Sequence, residues 1–483
     1  MDGQGTLADQ IYRGIKSLIE RGIYKAGDSV PSSRELVNSL KVSRNTILQA
    51  IHTLMIEGYL ESKVGSGMFV ATSDLIVLKP LEVGVHARST AQLEFEPPAH
   101  LHDLINDERA TWMLSPREFE YDFSYGKTEF PQASASAWRK CQTGSLNHIY
   151  NSNRADKHSF PLQGIGELRQ AIARQLALTR GFECDPDNIV ITGGTQESIS
   201  IAMRLLTQPG ESVLLEDPCY ASFKQLADLY GAVPKFAKAD DNGIRIHEVE
   251  ATNTRLAVVT PSHQFPMGGV LSAGRRVQLY KWAVRNSAFI IEDDYDGEFR
   301  YDTRPIAALK SLDTDGRVVY LGSFSKTMFP GLRLGYVVLP PSIKDAFLAV
   351  KLALTGGRSE TEQLGMAQFI HSGEYQKHLN RTRKIYRQRR QSLLNALDGI
   401  IDKSAISGSA AGLHLLIKLP TKHGAKELFN RLIENGIGVT PVIFPNPRSP
   451  RTEHQLWLTL SYGGIPTEKI APGVAALAAE LLH

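Results

Sequence analysis

Cysteine is scarce in this chain of 483 residues. Its three cysteines, Cys141, Cys184 and Cys219, lie far apart in the sequence. They offer neither the pairing pattern of a disulfide framework nor the closely spaced ligands of a zinc site. We therefore expect incidental or buried thiols and no bound metal.

Long apolar runs are absent as well. No uninterrupted apolar segment approaches the roughly 20 residues that cross a bilayer. The opening sequence MDGQGTLADQ lacks the basic and apolar regions of a secretory signal, so we expect a cytoplasmic protein. A hydrophobic content of 42% and a charged content of 22% are typical of a globular chain with two or more domains. The net charge of +3 neither requires nor excludes nucleic acid, so contact with DNA must come from local placement.

Apolar residues at helical spacing predict three helices near the start of the chain. The first spans residues 7–20. Ser33 can cap a short second helix that ends at Leu40, and Ser43 can cap a third helix over residues 44–57. The segment YLESKVGSGMFV then predicts two short strands around a glycine-rich turn. The expected inner face of the third helix is Ile47, Ala50, Ile51, Leu54 and Met55.

This order of elements is that of a winged helix-turn-helix. The third helix exposes polar side chains and free backbone N–H groups in its first turn, where they can meet base edges and phosphates. A small helical adaptor with solvated polar ends is the alternative. The segment VPSSRELVNSLKVSRNTILQAIHTLMIEGYLESKVGSGMFV closely resembles the DNA-binding domain of the GntR superfamily along its whole length. The candidate DNA contacts are Arg34, Ser43, Arg44, Asn45, Thr46, Gly65 and Gly67.

Domain boundaries follow from the change in pattern after the hairpin. We predict a winged helix-turn-helix domain over residues 1–72 and a linker over 73–117, where the segment STAQLEFEPPAHLHD shows weak periodicity and a Pro-Pro pair. Residues 118–483 are predicted to form an effector domain, with a smaller subdomain from about residue 350. Within it, apolar strands alternate with helical segments, which predicts a mostly parallel α/β sheet with a ligand site at the carboxyl ends of its strands.

The stretch SFSKTMFPGLRLG supplies a lysine and an anion site at that edge. Lys326 can form an imine with an aldehyde. Ser323, Ser325 and Arg333 can surround an anion, the arginine as a bidentate donor. A second segment opens a helix directly after a strand and so presents free N–H groups to the same phosphate. Its candidate residues are Gly194, Thr195 and Gln196.

Other side chains at the same edge suit an aromatic ring. Asp293 can keep a pyridine nitrogen protonated, and Tyr295 can reach a ring hydroxyl. Tyr220 offers a face for stacking. His263, in the stretch VTPSHQFPMGGVLS, is a further candidate contact of the cofactor. Each part alone has an ordinary explanation, such as a solvated lysine, a glycine turn or a charged strand end.

Together and in this order, these parts closely resemble the fold-type I aminotransferases, which carry pyridoxal 5′-phosphate (PLP) on such a lysine. With the winged helix and the linker, nearly the whole chain is similar to the MocR/GabR subfamily of transcriptional regulators. That resemblance implies a head-to-tail homodimer in which each winged helix lies on the partner's aminotransferase-like domain. It also implies operator DNA and a small-molecule effector as partners.

Two departures from the aminotransferase pattern bear on function. Phe265 occupies the place of an asparagine that binds the ring hydroxyl of the cofactor, and Gly463 and Gly464 stand where an arginine grips the substrate carboxylate. We therefore expect a regulator with no catalytic residues. The alternatives are an active aminotransferase tethered to DNA and a structural scaffold with an empty pocket.

The sensed molecule stays open between two candidates. Ala221 follows Tyr220 where some amino-acid-sensing relatives have another arginine, which favours PLP itself as the signal, as in PdxR-type members of the subfamily. The competing candidate is an amine or amino-acid derivative whose acid group binds Arg358 or Arg448.

Overall fold

A computed structural model describes most of the chain and divides it into two compact units, Met1–Glu96 and Pro97–His483. The predicted linker lies outside the described residues apart from Glu96. Across the described ranges, no helix is both long and apolar enough to cross a membrane. The described residues are 5–63, 67–72, 96, 118–151, 161–248, 254–301, 306–422, 424–446, 448–449 and 454–482.

The first unit contains the three predicted helices and a small antiparallel sheet. Its central strand, β3, pairs with β1 on one side and β2 on the other. Strand β1 was not predicted, because only two residues form it. Gly65 lies outside the described residues, and Gly67 is the first residue of β3. The elements are α1 (Leu7–Glu20), β1 (Ser29–Val30), α2 (Ser33–Leu40), α3 (Arg44–Ile56), β2 (Leu60–Lys63) and β3 (Gly67–Val70).

Side-chain caps fix the starts of α2 and α3. The Ser43 hydroxyl accepts a hydrogen bond from the Thr46 N–H at 3.2 Å, as predicted. The cap of α2 is Ser32, not Ser33, because the backbone of Ser32 is extended and its N–H donates to the Glu35 carboxylate at 2.7 Å. This reciprocal pair is a capping box, which satisfies two N–H groups that would otherwise lack partners.

The hydrophobic core of the first unit lies between α1, α3 and the sheet. Four of the five predicted inner residues of α3 are buried, but Met55 is 38% exposed, so its assignment to the inner face was wrong. At the carboxyl end of the helix, Glu57 accepts hydrogen bonds from Tyr12 at 2.6 Å and Lys16 at 3.1 Å. These contacts join α1 to the end of α3.

The second unit is built on an eight-stranded sheet. Its helices are α4 (Gln132–Asn151), α5 (Gly166–Arg180), α6 (Thr195–Leu206), α7 (Ala221–Leu229), α8 (Ala273–Arg285), α9 (Pro341–Leu354), α10 (Glu360–His371), α11 (Glu374–Leu397), α12 (Ala425–Glu434) and α13 (Thr467–Leu482). Its strands are β4 (Tyr121–Asp122), β5 (Ile189–Thr192), β6 (Ser212–Asp217), β7 (Val233–Asp240), β8 (Gly243–Ile244), β9 (Thr254–Val259), β10 (Phe289–Asp294), β11 (Val318–Ser323), β12 (Gly335–Val338), β13 (Ile406–Ser407), β14 (His414–Pro420), β15 (Ile437–Gly438), β16 (Thr440–Pro441) and β17 (Gln455–Ser461).

The main sheet has the order β5-β12-β11-β10-β9-β6-β7-β8. Strands β11, β10, β9, β6 and β7 run parallel, and β12 is antiparallel to both of its neighbours. The predicted mostly parallel α/β sheet is therefore confirmed. Because β5, β6, β9, β10 and β11 share one direction, their carboxyl ends meet at one edge.

Helices cover both faces of this sheet. Successive residues of a strand point to opposite faces, so Ile290 joins the cluster that includes Trp282 of α8, and Ile291 joins the cluster that includes Phe223 of α7 and Phe347 of α9. All five side chains are buried. Burial on both faces explains why the central strands are continuous apolar runs.

A second sheet belongs to the carboxyl-terminal part of the chain. It is antiparallel, with the order β13-β14-β17-β16. Leu415 and Leu460 of this sheet share a buried cluster with Leu379 of α11 and Val474 of α13. The paired strands β14 and β17 thus present His414 opposite Ser461 at one end.

Replacement of a core leucine should destabilise α3 far more than replacement of its exposed neighbour. Leu54→Ala removes a fully buried side chain and should cost about 2–5 kcal/mol of local stability. Met55→Ala is the matched control and should cost less than about 1 kcal/mol. Hydrogen–deuterium exchange of peptides from α3 measures both in the full chain. Equal loss of protection in the two variants would contradict the core described here.

Candidate functional site

The carboxyl ends of the parallel strands bring the predicted cofactor residues to one edge of the sheet. Lys326 follows β11 by three residues, and Asp293 lies near the end of β10. His263 follows β9, and Tyr220 lies between β6 and α7. Gly194 is the cap residue of α6, directly after β5. Residues from five segments of the chain thus converge where parallel α/β sheets bind ligands.

Lys326 lies against an aromatic ring in a partly buried position. Its Nζ is 3.9 Å from the centroid of the Tyr125 ring. Burial lowers the pKa of Lys326 to about 8, against the attraction of the Asp296 and Asp293 carboxylates. An amine with this pKa is unprotonated in an appreciable fraction of molecules near neutral pH. It is therefore prepared to attack an aldehyde.

Strand alternation separates Asp293 from the acidic residues on either side of it. Glu292 accepts hydrogen bonds from the N–H groups of Leu309 and Lys310 at 2.7 and 2.8 Å, so both of its oxygens have donors within the protein. Asp294 pairs with buried Arg180 and also accepts from Tyr320 at 2.6 Å.

Asp293 has no such partner. Its Oδ1 makes no hydrogen bond to a described residue, and because the side chain is only 6% exposed, water does not readily replace that bond. Burial, reinforced by Asp294 and Asp296, raises the pKa of Asp293 well above its ordinary value, whereas Lys326 acts to lower it. A buried acceptor of this kind requires a donor. A protonated pyridine nitrogen meets that requirement, because it supplies both a hydrogen bond and a positive charge.

Tyr295 belongs to a buried group of three polar side chains. Its hydroxyl is 3.0 Å from His263 Nδ1, which is also 3.0 Å from Asp296 Oδ2. The exposed fractions are 7% for Tyr295, 1% for His263 and 2% for Asp296. Burial, together with the charges of Asp296 and Asp293, raises the pKa of Tyr295 well above its ordinary value. The phenol therefore keeps its proton.

Phe265 lies in the middle of an aromatic cluster. Its ring centroid is 5.0 Å from that of Tyr125, 5.5 Å from Tyr220, 6.2 Å from Tyr295 and 5.4 Å from His414. The cluster offers several aromatic faces beside Lys326. A flat apolar ring can stack in such an environment.

The expected phosphate-binding segments have the backbone shape that close approach requires. Gly194 has φ +108°, in a region that favours glycine, and a Cβ built on Gly335 would come within 2.7 Å of its Cα. Thr195 is partly buried and Gln196 is exposed at the start of α6. Free N–H groups at this helix terminus favour an anion.

Ser323, Ser325 and Arg333 flank the same region. The Ser325 N–H donates to the Ser323 hydroxyl at 3.1 Å. Arg333 is exposed and adopts φ +48°, an uncommon left-handed conformation for a residue other than glycine. Arg333 directly follows the short helical turn Pro330–Leu332, and its left-handed backbone costs free energy. Its exposed guanidinium can contact an anion.

Arg358, a candidate for binding an effector's acid group, is already paired. Its guanidinium forms an ion pair with Glu197. Glu197 also accepts from the Gly193 N–H at 2.9 Å and from the Thr355 hydroxyl at 2.9 Å. An acidic ligand would have to compete with Glu197 for this arginine.

Arg448, the other candidate, lies in an exposed position on a tethered loop. Its N–H donates to Asn446 at 3.0 Å. The Asn446 amide donates to Asp217 at 2.7 Å, and the Ser449 hydroxyl donates to the same carboxylate at 2.6 Å. These contacts hold the loop at the end of β6, close in sequence to Tyr220.

The glycine pair at residues 463–464 leaves no room for a side chain. A Cβ on Gly463 would overlap the carbonyl oxygen of Lys127, and a Cβ on Gly464 would overlap the Lys127 side chain. The Gly463 carbonyl accepts from Arg389 at 2.7 Å. The backbone of another segment therefore fills the space in which the sequence comparison would place a substrate-binding arginine.

One cluster of metal-ligating side chains occurs among the residues that the structure describes. His263, Asp296 and His414 place ligand atoms within 4.8 Å of one another. Hydrogen bonds already engage His263 Nδ1, and His414 Nε2 donates to the Pro266 carbonyl at 3.2 Å. Two buried nitrogens of this cluster, His263 Nε2 and His414 Nδ1, have no hydrogen-bond partner among the described residues. The absence of a metal stays a prediction.

Most of the candidate DNA contacts that the structure describes are exposed. Arg34, Arg44 and Asn45 are exposed, at or near the starts of α2 and α3. Ser43 and Thr46 are joined by their hydroxyls at 2.7 Å as part of the α3 cap, so their first role is structural.

Three residues of the candidate site were not predicted from the sequence. Tyr125, Asp296 and His414 have no role in the predictions, although Tyr125 lies against Lys326 and the other two contact or adjoin His263. The stretch YDFSYGKTEFP contained Tyr125 but gave no reason to select it. His414 carries no local signal, because β14 brings it to the site from a distant part of the chain.

Comparison with known proteins agrees with the two units. Residues 7–70 match the family described as bacterial regulatory proteins, gntR family, and residues 120–477 match aminotransferase class I and II. A probable rhizopine catabolism regulatory protein, MocR of Rhizobium meliloti, is 30% identical over 98% of this chain and 93% of its own. The pyridoxine biosynthesis transcriptional regulator PdxR of Corynebacterium glutamicum is 31% identical over 85% of this chain and 83% of its own. In fold, the second unit resembles a crystallised kynurenine aminotransferase of Pyrococcus horikoshii, with a TM-score of 0.68, 24% identity and coverage of 82% and 96% of the two chains.

The lowered pKa of Lys326 should be visible in its reactivity. Reductive methylation of Lys326 in the protein free of cofactor should reach half of its maximal rate near pH 8, whereas ordinary lysines do so near pH 10.4. Peptide mass spectrometry separates Lys326 from Lys403, a well-exposed reference in the same digest. A midpoint for Lys326 above pH 10 would contradict the buried, partly neutral amine.

Proposed function

Because the chain belongs to the MocR/GabR subfamily of GntR-type transcriptional regulators, we propose that its aminotransferase-like unit binds PLP and thereby controls the binding of operator DNA. Lys326 would hold the cofactor covalently through its Nζ. PLP would supply an aldehyde for that bond and an electron-withdrawing ring. The rest of the site binds and orients it.

The unpartnered Asp293 Oδ1 carries this proposal. Glu292 and Asp294 accept hydrogen bonds within the protein, whereas no described residue donates to the Asp293 carboxylate, whose buried Oδ1 lacks a partner. A surface carboxylate would need no explanation, but a buried one costs free energy unless it is paired. The pyridinium N–H of PLP is the donor that fits an acceptor beside an amine of lowered pKa.

The other candidate residues divide between the two ends of the cofactor. Thr195, Gln196 and Arg333, with the two serines after β11, would hold the phosphate by N–H groups, hydroxyls and a guanidinium. Tyr220 and Tyr125 would contact the ring, and Tyr295 its hydroxyl.

Sensing without turnover is the proposed role of this site. Transamination needs a group that orients the substrate carboxylate, and such a charge-assisted contact contributes about 1.5–3 kcal/mol. The overlap of any side chain at Gly463 and Gly464 with Lys127 supports the lack of that group. An active aminotransferase tethered to DNA is the alternative.

PLP itself is the proposed effector. Candidate contacts for its phosphate and ring are present, whereas a second ligand lacks an evident acid-binding group: Arg358 is paired with Glu197, and Arg448 is exposed. The printed name of the PdxR relative also connects such a protein with pyridoxine biosynthesis. An amine or amino-acid derivative is the competing effector.

We further propose a homodimer in which cofactor binding shifts a conformational equilibrium. PLP must bind the two conformations with different affinity, since a ligand with equal affinity for both shifts nothing. The altered spacing of the paired winged helices would then fit or misfit the two operator half-sites.

Substitutions in the first unit should weaken operator binding without changing the cofactor spectrum. Arg44→Ala should cost roughly 1–3 kcal/mol of binding free energy if this side chain reads a base, and Arg34→Ala should reduce the salt dependence of binding if it contacts the backbone. Fluorescence anisotropy at matched salt measures both. Wild-type affinity in both variants would reject the winged-helix contacts.

Loading with PLP alone should change operator affinity. Wild-type protein, freed of cofactor and then reloaded, should show two different affinities or footprints, and Lys326→Ala should show no imine absorption and a reduced response. Borohydride reduction and mass analysis locate the attachment. Equal affinities and footprints with and without PLP, followed by a change on adding an amine, would instead identify the amine as effector. Cofactor mass on another lysine would reject the role of Lys326.

A further inference from the structure

The linked side chains Tyr295, His263 and Asp296 are more elaborate than a simple contact with a ring hydroxyl requires. One imidazole nitrogen, His263 Nδ1, lies 3.0 Å from both the Tyr295 oxygen and Asp296 Oδ2. All three side chains are buried. Burial of a carboxylate and an imidazole costs free energy, so a role in folding or function is expected for the pair.

With Asp296 as the acceptor, the donor and acceptor capacities of these groups assign the protons. An ionised carboxylate only accepts hydrogen bonds, so His263 Nδ1 must carry the proton and donate it to Asp296. Nδ1 then has no lone pair to offer, and the Tyr295 hydroxyl cannot donate to it. No other hydrogen bond from Tyr295 to a described residue competes for its proton. That proton is therefore available to a different acceptor.

Tyr295 lies where such an acceptor is expected. Its ring is 6.2 Å from that of Phe265, which is 5.0 Å from Tyr125, the ring that lies against Lys326. Phe265 has no polar group to offer to a ligand in this space. Tyr295 is therefore placed to donate to the hydroxyl of a ring held by Lys326 and Asp293.

We infer that Asp296, acting through His263, fixes Tyr295 as a hydrogen-bond donor to the ring hydroxyl of PLP, and so supplies the contact that Phe265 cannot make. Asp296 and His263 are positioning residues, and only Tyr295 touches the cofactor. The inference rests on the proposed binding of PLP. It adds that the binding site specifies the direction of one hydrogen bond.

Other charges around this group are held on separate elements and must be considered in any pH measurement. His414 of β14 packs against His263 at 5.2 Å between ring centroids, and burial lowers the pKa of His414 well below its ordinary value, so it stays neutral. Burial also raises the pKa of Glu216 to about 7. The titratable and charged groups that face the three side chains are Asp293, Glu216, Lys326, Tyr125, His414, Arg300, Tyr301 and Tyr462.

The pH midpoint of the visible absorption of the loaded protein measures the donated hydrogen bond. The Tyr295 hydroxyl, as a donor to the ring oxygen, would favour the deprotonated form of the bound cofactor, in which that oxygen would carry a negative charge. Tyr295→Phe removes the donor and should raise the midpoint by about one pH unit.

A double-mutant cycle separates positioning from simple charge. Asp296→Asn removes a negative charge, which affects the midpoint through space in the same way whether residue 295 carries a hydroxyl or not. If Asp296 acts through the Tyr295 hydroxyl, its shift should differ between the wild-type and Tyr295→Phe backgrounds by about half a pH unit or more. His263→Gln, tested in the same cycle, serves where Asp296→Asn does not fold.

His414→Gln is the matched control, because His414 is equally buried and adjacent but makes no hydrogen bond to Tyr295. Its effect should be additive with Tyr295→Phe. Additive shifts for Asp296→Asn and His263→Gln would overturn the inference while leaving PLP binding intact. A wild-type protein without any imine absorption after loading would instead reject the proposed function, and the inference with it.

Discussion

Burial of several carboxylates at one edge of a parallel sheet is the constraint on which the candidate site depends. Parallel strands bring polar residues to a common edge, and the helices on both faces keep water away from them. Each buried charge then needs a partner. Arg180 supplies one for Asp294, and the N–H groups of Leu309 and Lys310 supply another for Glu292. Asp293 lacks a partner because its side chain points away from these groups, on the side of Lys326.

The same constraint explains the state of the lysine. In water an amine is protonated at neutral pH, and the nearby carboxylates would strengthen that tendency. At Lys326 the effect of burial is larger than that of the carboxylates, and it lowers the pKa to about 8. The site thus balances a reactive amine against negative charges that attract a cationic ring. A cofactor with both an aldehyde and a basic ring nitrogen satisfies the two demands together.

Much of this organisation could be predicted from the sequence, because it depends on local patterns. The Ser43 cap, the helical faces and the apolar strands follow from spacing over a few residues. Predictions were wrong where two alternatives differ by one position. Ser32, not Ser33, caps α2, and Met55 lies just outside the buried face of α3. Tyr125 and His414 could not be predicted as site residues for another reason. Their place beside Lys326 and His263 results from the packing of segments far apart in the chain.

The contact of Lys127 with Gly463 and Gly464 limits how a substrate-binding arginine could evolve at these two positions. An arginine at either position would collide with the segment that contains Lys127, so a single substitution cannot create a substrate clamp there. The segment would first have to move, and with it Tyr125, two residues earlier, against which Lys326 packs. The path from this pocket to one with a carboxylate-binding arginine at these positions therefore passes through intermediates that disturb the surroundings of the lysine.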